Sequence, residues 1–165
     1  MFQSFQEEYV GFLSVADSTA MVREIGQWKR IDWDVEAAQR VFHYCGGHPL
    51  VTRFFASHAC DAGKRKTIDY ARVEETAAEI QDTFRRNEIG NYYKEGMWDL
   101  LREDEQNVLR LLYQHGEAGM AEGDLPGDLD DAVSNVEHFG LVVSHEGRVY
   151  LTAHLFYTWL QRRLE

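Results

Sequence analysis

The chain has 165 residues and a mass of 19.2 kDa, with 44% hydrophobic and 27% charged side chains and 2 prolines. That length suits one middling domain or two small ones and buries roughly 68–70% of the unfolded surface; the composition excludes a disordered tail, a collagen-like chain and a low-complexity linker. The 17 Lys+Arg against 28 Asp+Glu leave a net charge of −11, a sign that repels phosphate backbones and anionic lipid.

No uncharged apolar run approaches the roughly 18 residues of a membrane span. The opening MFQSFQEEYV lacks the basic and long apolar regions of a secretory signal. Two cysteines, Cys45 and Cys60, permit one bridge at most and suit a reduced, cytoplasmic protein. Charge is uneven: residues 1–88 hold 11 basic and 14 acidic side chains, residues 89–165 hold 6 and 14. That shift places a domain boundary near residue 88.

In chain order, Ser14 with Asp17 forms a capping signal, and Met21, Ile25 and Trp28 follow at helical spacing. Asp34 opens a second helix with Val35, Ala38, Val41, Phe42 and Cys45 on its apolar face. Gly46-Gly47 stops it, and Pro49 suits the first residue of a third helix carrying Leu50, Val51, Phe54, Phe55 and His58. After Asp61-Ala62-Gly63 and a basic Lys64-Arg65-Lys66 cluster, Tyr70, Val73, Ala77, Ile80 and Phe84 mark a fourth helix.

The second half predicts helices over 88–101 and 103–115, a glycine-rich loop with room for one helical turn, and a helix over 128–139. Next come two β-rich runs, 141–145 and 148–152, separated by Glu146-Gly147, a hairpin signal. Thr152 then caps a last helix bearing Leu155, Phe156, Trp159 and Leu160, with Arg162 and Arg163 at its negative end. The fold class is therefore mainly α: a four-helix bundle over 1–88, then helix, helix, helix, hairpin, helix over 89–165, the order of a winged-helix domain.

Winged helices often bind DNA through the helix before the wing. Here that helix offers Asp130, Asp131, Ser134, Asn135, Glu137 and His138, and no Lys or Arg occurs from Leu111 through Gly147. Phosphate neutralisation supplies nearly all nonspecific DNA affinity, so this surface reads as a protein-contact face.

Gly46-Gly47-His48-Pro49 is the most unusual stretch. Two glycines allow close backbone approach, and Pro49 begins a helix whose free N–H groups attract anions; His48 and Arg53 stand within reach of a phosphate there. A plainer reading is a glycine C-cap, a proline start and a locally bonded histidine. Cys45, His48, His58 and Cys60 also raise zinc, but the pairs are separated by a helix, and buried cysteine behaves as a small hydrophobe; no metal site is expected. Adjacent acids such as Glu74-Glu75 and Asp130-Asp131 point apart on a helix and read as solvated faces.

Three segments in order, Tyr9-Val10-Gly11-Phe12-Leu13-Ser14, then Trp33-Asp34-x-Glu36-Ala37-Ala38, then Gly46-Gly47-His48-Pro49-Leu50, resemble the helical lid of the STAND and related AAA-type NTPases. The second half, ending in Leu155-Phe156-x-x-Trp159-Leu160, is similar to the winged helix that follows that lid. The resemblance implies a lid closing over ATP or ADP, with Pro49 near the adenine, His48 and Arg53 on the phosphate side, and Gly46 and Gly47 giving close approach. One departure is decisive: no G-x-x-x-x-G-K-[ST] loop exists, since His58 stands where Gly63-Lys64 needs its partner glycine. Nor does an apolar strand end in paired acids to hold Mg²⁺. Hydrolysis needs phosphate cradle, metal and positioned water together. The expectation is a non-catalytic regulatory module that takes ATP or ADP only with an NTPase core supplied by another segment or subunit. A stand-alone interaction adaptor and a DNA-binding regulator are the competing readings.

Overall fold

A computed structural model describes residues 12–61 and 65–165. It is mainly helical with a small three-stranded sheet. The first part runs α1 (Val15–Lys29), β1 (Asp32–Trp33), α2 (Val35–Cys45), α3 (Pro49–Asp61), β2 (Thr67–Ile68) and α4 (Tyr70–Asp82). The two-residue strands β1 and β2 pair in parallel, Asp32 opposite Thr67 and Trp33 opposite Ile68, and so clamp the loops before α2 and α4 side by side.

The second part begins with α5 (Glu88–Asn91), which widens into a π-helix (Tyr92–Met97) and tightens into a 3₁₀ turn (Trp98–Leu100). Then come α6 (Glu103–His115), β3 (Met120–Ala121), α7 (Asp130–His138), β4 (Val142–His145), β5 (Arg148–Leu151) and α8 (His154–Leu164). The sheet order is β3-β5-β4, all antiparallel. Glu146 and Gly147 carry φ of 51° and 72°, the left-handed pair that a tight two-residue hairpin demands.

Helix boundaries follow their chemical punctuation. The Ser14 hydroxyl accepts from the Asp17 amide at 3.1 Å and starts α1; Gly46 at φ 60° ends α2. The buried faces differ in detail from the expected ones. On α1 they are Ser18, Val22 and Ile25, while Trp28 is 73% exposed, because Trp33 lays its indole against Gly26 and fills that flank. Val35 and Tyr70 open their helices on the solvent side, and Ala37 with Tyr44 take up the core of α2. The expected continuous helix over 88–101 is broken by the π-helix, leaving Leu100 exposed. Thr152 does not cap α8: its hydroxyl donates to the Gly140 carbonyl at 2.6 Å, and Ala153 occupies the cap position. The glycine-rich loop holds a third strand, β3, that its composition does not announce.

One hydrophobic cluster runs from Val22 on α1 to Leu160 on α8. Crossing from first part to second, Tyr93 meets Phe84, Phe156 and Trp159 with ring centroids 5.2–6.4 Å apart. The Arg162 guanidinium donates to the Gln81 carbonyl, and the Gln81 amide donates to the Thr158 hydroxyl at 3.4 Å. Helix α8 thus packs along α2 and α4. Arg72, 2% exposed, donates from both Nη atoms to the Glu79 carboxylate at 2.8 and 3.0 Å and from Nε to the Ala59 carbonyl at 3.3 Å, tying α3 to α4. Among the described residues, no helix is long and apolar enough to cross a membrane.

Candidate functional site

The Gly46–Pro49 turn is built to close on its neighbours. The Gly46 amide donates to Phe42 O at 2.8 Å, and the Gly47 carbonyl accepts from the Leu13 amide at 2.8 Å. Gly47, at φ 73°, leaves no room for a side chain: a Cβ there would lie 2.3 Å from Leu13 O and 2.9 Å from the Phe42 ring. A Cβ on Gly46 would meet Ala153 and Thr152 at 3.1–3.2 Å, so the turn lies directly against the loop entering α8. Pro49 begins α3, and the His48 carbonyl accepts from the Thr52 amide at 2.9 Å.

His48 is engaged on both ring nitrogens. The Val51 amide donates to Nδ1 at 3.5 Å, and Nε2 lies 2.9 Å from the Tyr92 hydroxyl. The Phe12 and Tyr92 rings flank the imidazole edge-on, with centroids 5.3 and 5.1 Å away. Burial lowers its pKa below the ordinary histidine value, because charging an imidazole away from water is costly. At neutral pH this histidine is a neutral hydrogen-bonding tie rather than a cation for phosphate.

The structure keeps Gly46, Gly47, His48 and Pro49 in one turn and sets Arg53 on α3, exposed and without an ion pair among the described residues. The two cavities of note lie elsewhere. The smaller, about 220 Å³, is lined by His43, Glu117, Thr152, His154 and Tyr157 among others. There the His43 and His154 rings stack at 5.1 Å, and His154 Nδ1 is 3.5 Å from Glu117. Burial, then the positive charge of Arg40 and then His154, push the His43 pKa down. The larger cavity, about 760 Å³, is a groove between the ends of α4 and α8 and the π-helix.

The remaining sequence candidates have structural partners. Cys45 and Cys60 are free thiols in the core, and burial raises both pKa values. His58 bonds Glu79 at 3.1 Å, and among the described residues no group of three or more His, Cys, Asp or Glu has the geometry to hold a metal ion. Glu74 is not simply solvated: it accepts from Arg40 at 2.9 Å and from Tyr44 at 2.7 Å. Burial, reinforced by that hydrogen bond, raises the Tyr44 pKa to about 12. Arg65 pairs with Glu75 at 3.1 Å, whereas Lys64 and Tyr9 to Gly11 lie outside the described residues. On α7, Asp130, Asp131 and Glu137 are exposed, and Asn135 donates to Glu105 at 3.1 Å.

Tyr92, the partner of His48, escaped the sequence reading, since an aromatic 44 positions away carries no local mark. The nearest signal is Gly96, where a Cβ would come within 2.7 Å of the Tyr92 ring. Compared with known protein families and with curated proteins, the chain finds no match. The likeness to a STAND lid therefore rests on the residues quoted above and on nothing else.

Proposed function

We propose that this chain is a non-catalytic regulatory module of a STAND/AAA-type NTPase. Residues 1–88 act as a lid-like bundle and 89–165 as a winged-helix domain. The observation that carries this reading is the double attachment of the Gly46–Pro49 turn. Gly46 rests against Thr152 and Ala153, and His48 reaches Tyr92, so a change at the turn is felt at once by the second half. In that role ATP or ADP sits in a core outside these residues, Pro49 and Arg53 form the side of the turn that meets it, and the buried Gly47 and neutral His48 transmit its presence. The acidic face of α7 then engages partner proteins. Its lack of Lys and Arg from Leu111 through Gly147 argues against duplex DNA. The setting is the cytoplasm, where free Cys45 and Cys60 persist.

A second reading has its own support. Because Gly47 and His48 are already packed by Leu13, Phe42, Phe12 and Tyr92, the turn also suits a stand-alone adaptor in which it is purely a structural seam.

The deciding experiment uses the NTPase encoded with, or beside, this chain. Pro49→Ala combined with Arg53→Ala is expected to speed release of a fluorescent ADP analogue by at least about tenfold, the loss of roughly 1.4 kcal/mol. Unchanged release, or the lack of any phosphate-loop core in that gene or its neighbours, leaves the adaptor.

A further inference from the structure

The groove of about 760 Å³ collects positive charge in a chain whose net charge is −11. Its lining includes Arg85, Arg86, Lys94, Arg162 and Arg163, against the carboxylates of Asp82 and Glu165. Three of those cations are occupied. Arg162 bonds the Gln81 carbonyl and lies 3.4 Å from Asp82. Lys94 is 2.8 Å and Arg163 3.5 Å from Asp99, and the Arg163 guanidinium covers the Trp98 and Trp159 rings at 5.3 and 5.6 Å. Glu165 accepts from the Gln161 amide at 3.1 Å.

Arg85 and Arg86 are different. Both are exposed in the turn after α4, and their side chains make no hydrogen bond or ion pair among the described residues. Asn91, also exposed at the rim, has no side-chain cap bond and leaves its amide free. Two unmatched guanidinium groups beside a free amide offer planar, forked donors, the arrangement that suits phosphate oxygens. Their charge matches the −1.5 to −2 of about one phosphate ester at neutral pH. The wall carrying Lys94 is the π-helix, a rare geometry that frequently marks functional sites.

The geometry points to this groove as a binding site for a compact phosphate dianion or diphosphate, held by Arg85 and Arg86 and flanked by Asn91 and Lys94. A long polyanion is disfavoured: the chain as a whole carries a net charge of −11, and repulsion reaches about 8–10 Å at ordinary salt. A base has no stacking face, because Phe84 and Trp159 are 5% and 7% exposed. Recognition is therefore of the phosphate and not of what it is attached to. No residue of the Gly46–Pro49 turn takes part, so this site stands or falls apart from the relay role above.

The test is calorimetric titration of the intact chain with sodium pyrophosphate at fixed ionic strength, beside ADP and beside vesicles containing a phosphoinositide. Pyrophosphate is expected to bind and to weaken as NaCl rises. Arg85→Ser with Arg86→Ser should weaken it at least about tenfold while leaving the circular-dichroism melt unchanged, and Arg23→Ser on α1 should change nothing. ADP is expected to bind no more tightly than pyrophosphate. Absence of pyrophosphate binding, or binding indifferent to the Arg85/Arg86 change, overturns the inference. Tenfold preference for ADP overturns the phosphate-only recognition, and vesicle binding without pyrophosphate binding reassigns the groove to a membrane headgroup.

Discussion

The Gly46–Pro49 turn and the groove between α4 and α8 use opposite chemistry. At the turn the ties run inward: Gly47 O holds Leu13, His48 holds Val51 and Tyr92, and burial favours the neutral imidazole. In the groove, Arg85 and Arg86 reach solvent with their donors unspent. A region tied to its neighbours by internal hydrogen bonds passes strain to them, whereas exposed donors bonded only to water are free to exchange it for a ligand. The motif that stands out most in the sequence is thus the one most committed within the fold. Arg85 and Arg86, with no signature in the sequence, make the more receptive surface.

Substitutions can break this contrast, beginning with the largest effect. Gly47→Ala must accommodate φ 73° and a Cβ 2.3 Å from the Leu13 carbonyl oxygen; a loss of about 3 kcal/mol is expected in chemical denaturation, the scale of backbone strain added to a steric clash. A loss below about 1 kcal/mol would mean the turn is loose. Tyr92→Phe removes the His48 contact and should cost about 1 kcal/mol, the net worth of one hydrogen bond, measured the same way. Its neighbour Tyr93 should behave oppositely: its hydroxyl is buried without a partner, so Tyr93→Phe is expected to hold or raise stability by up to about 1 kcal/mol.

Acid sharpens the same comparison. Folding lowers the pKa values of His43 and His48, so the unfolded chain binds more protons than the native one near their titration. Their contribution is complete above the unfolded value of about 6.5 and is lost as pH falls through it towards the lowered native values. Glu117 and Glu74 partly offset this at His43, while Arg40 and His154 add to it. Melting temperature should therefore fall between pH 7.5 and 5.5, and fall less in His43→Gln. A melt that rose over that range would contradict the lowered pKa values of these two histidines. The smallest effect belongs to Arg85→Ser, within about 0.5 kcal/mol of the parent, as for an exposed side chain with no partner.

Much of the secondary structure was legible because its punctuation is local. Ser14 starts α1, the Gly46-Gly47 and Pro49 pair separates α2 from α3, and Glu146-Gly147 fixes the hairpin. The rest depends on tertiary contacts. The π-helix over 92–97 has no composition of its own; it exists where Tyr92 faces the turn and Tyr93 faces Phe84, Phe156 and Trp159. Trp28 was expected inside, but Trp33 fills that flank. Strand β3 is two residues pairing with Val149 and Arg148, too short for any periodicity. Of the candidate site, the residues 46–49 were visible as a motif, but their engagement by Leu13, Tyr92 and Ala153 was not. The groove was invisible because it joins residues 82–94 to residues 159–165 across the fold.

The widened helix has one more consequence. A π-turn amounts to one surplus residue in an otherwise regular α-helical path. Deleting Glu95 would let Tyr92–Met97 rewind as ordinary α-helix, and because the wide turn had absorbed the extra residue, the chain beyond it would keep nearly its present phase. Trp98 would stay beside Arg163 and Met97 in the core. The loss would fall on the wall that carries Lys94, so a length change of one is milder here than in a regular helix, where it turns all that follows by about 100°.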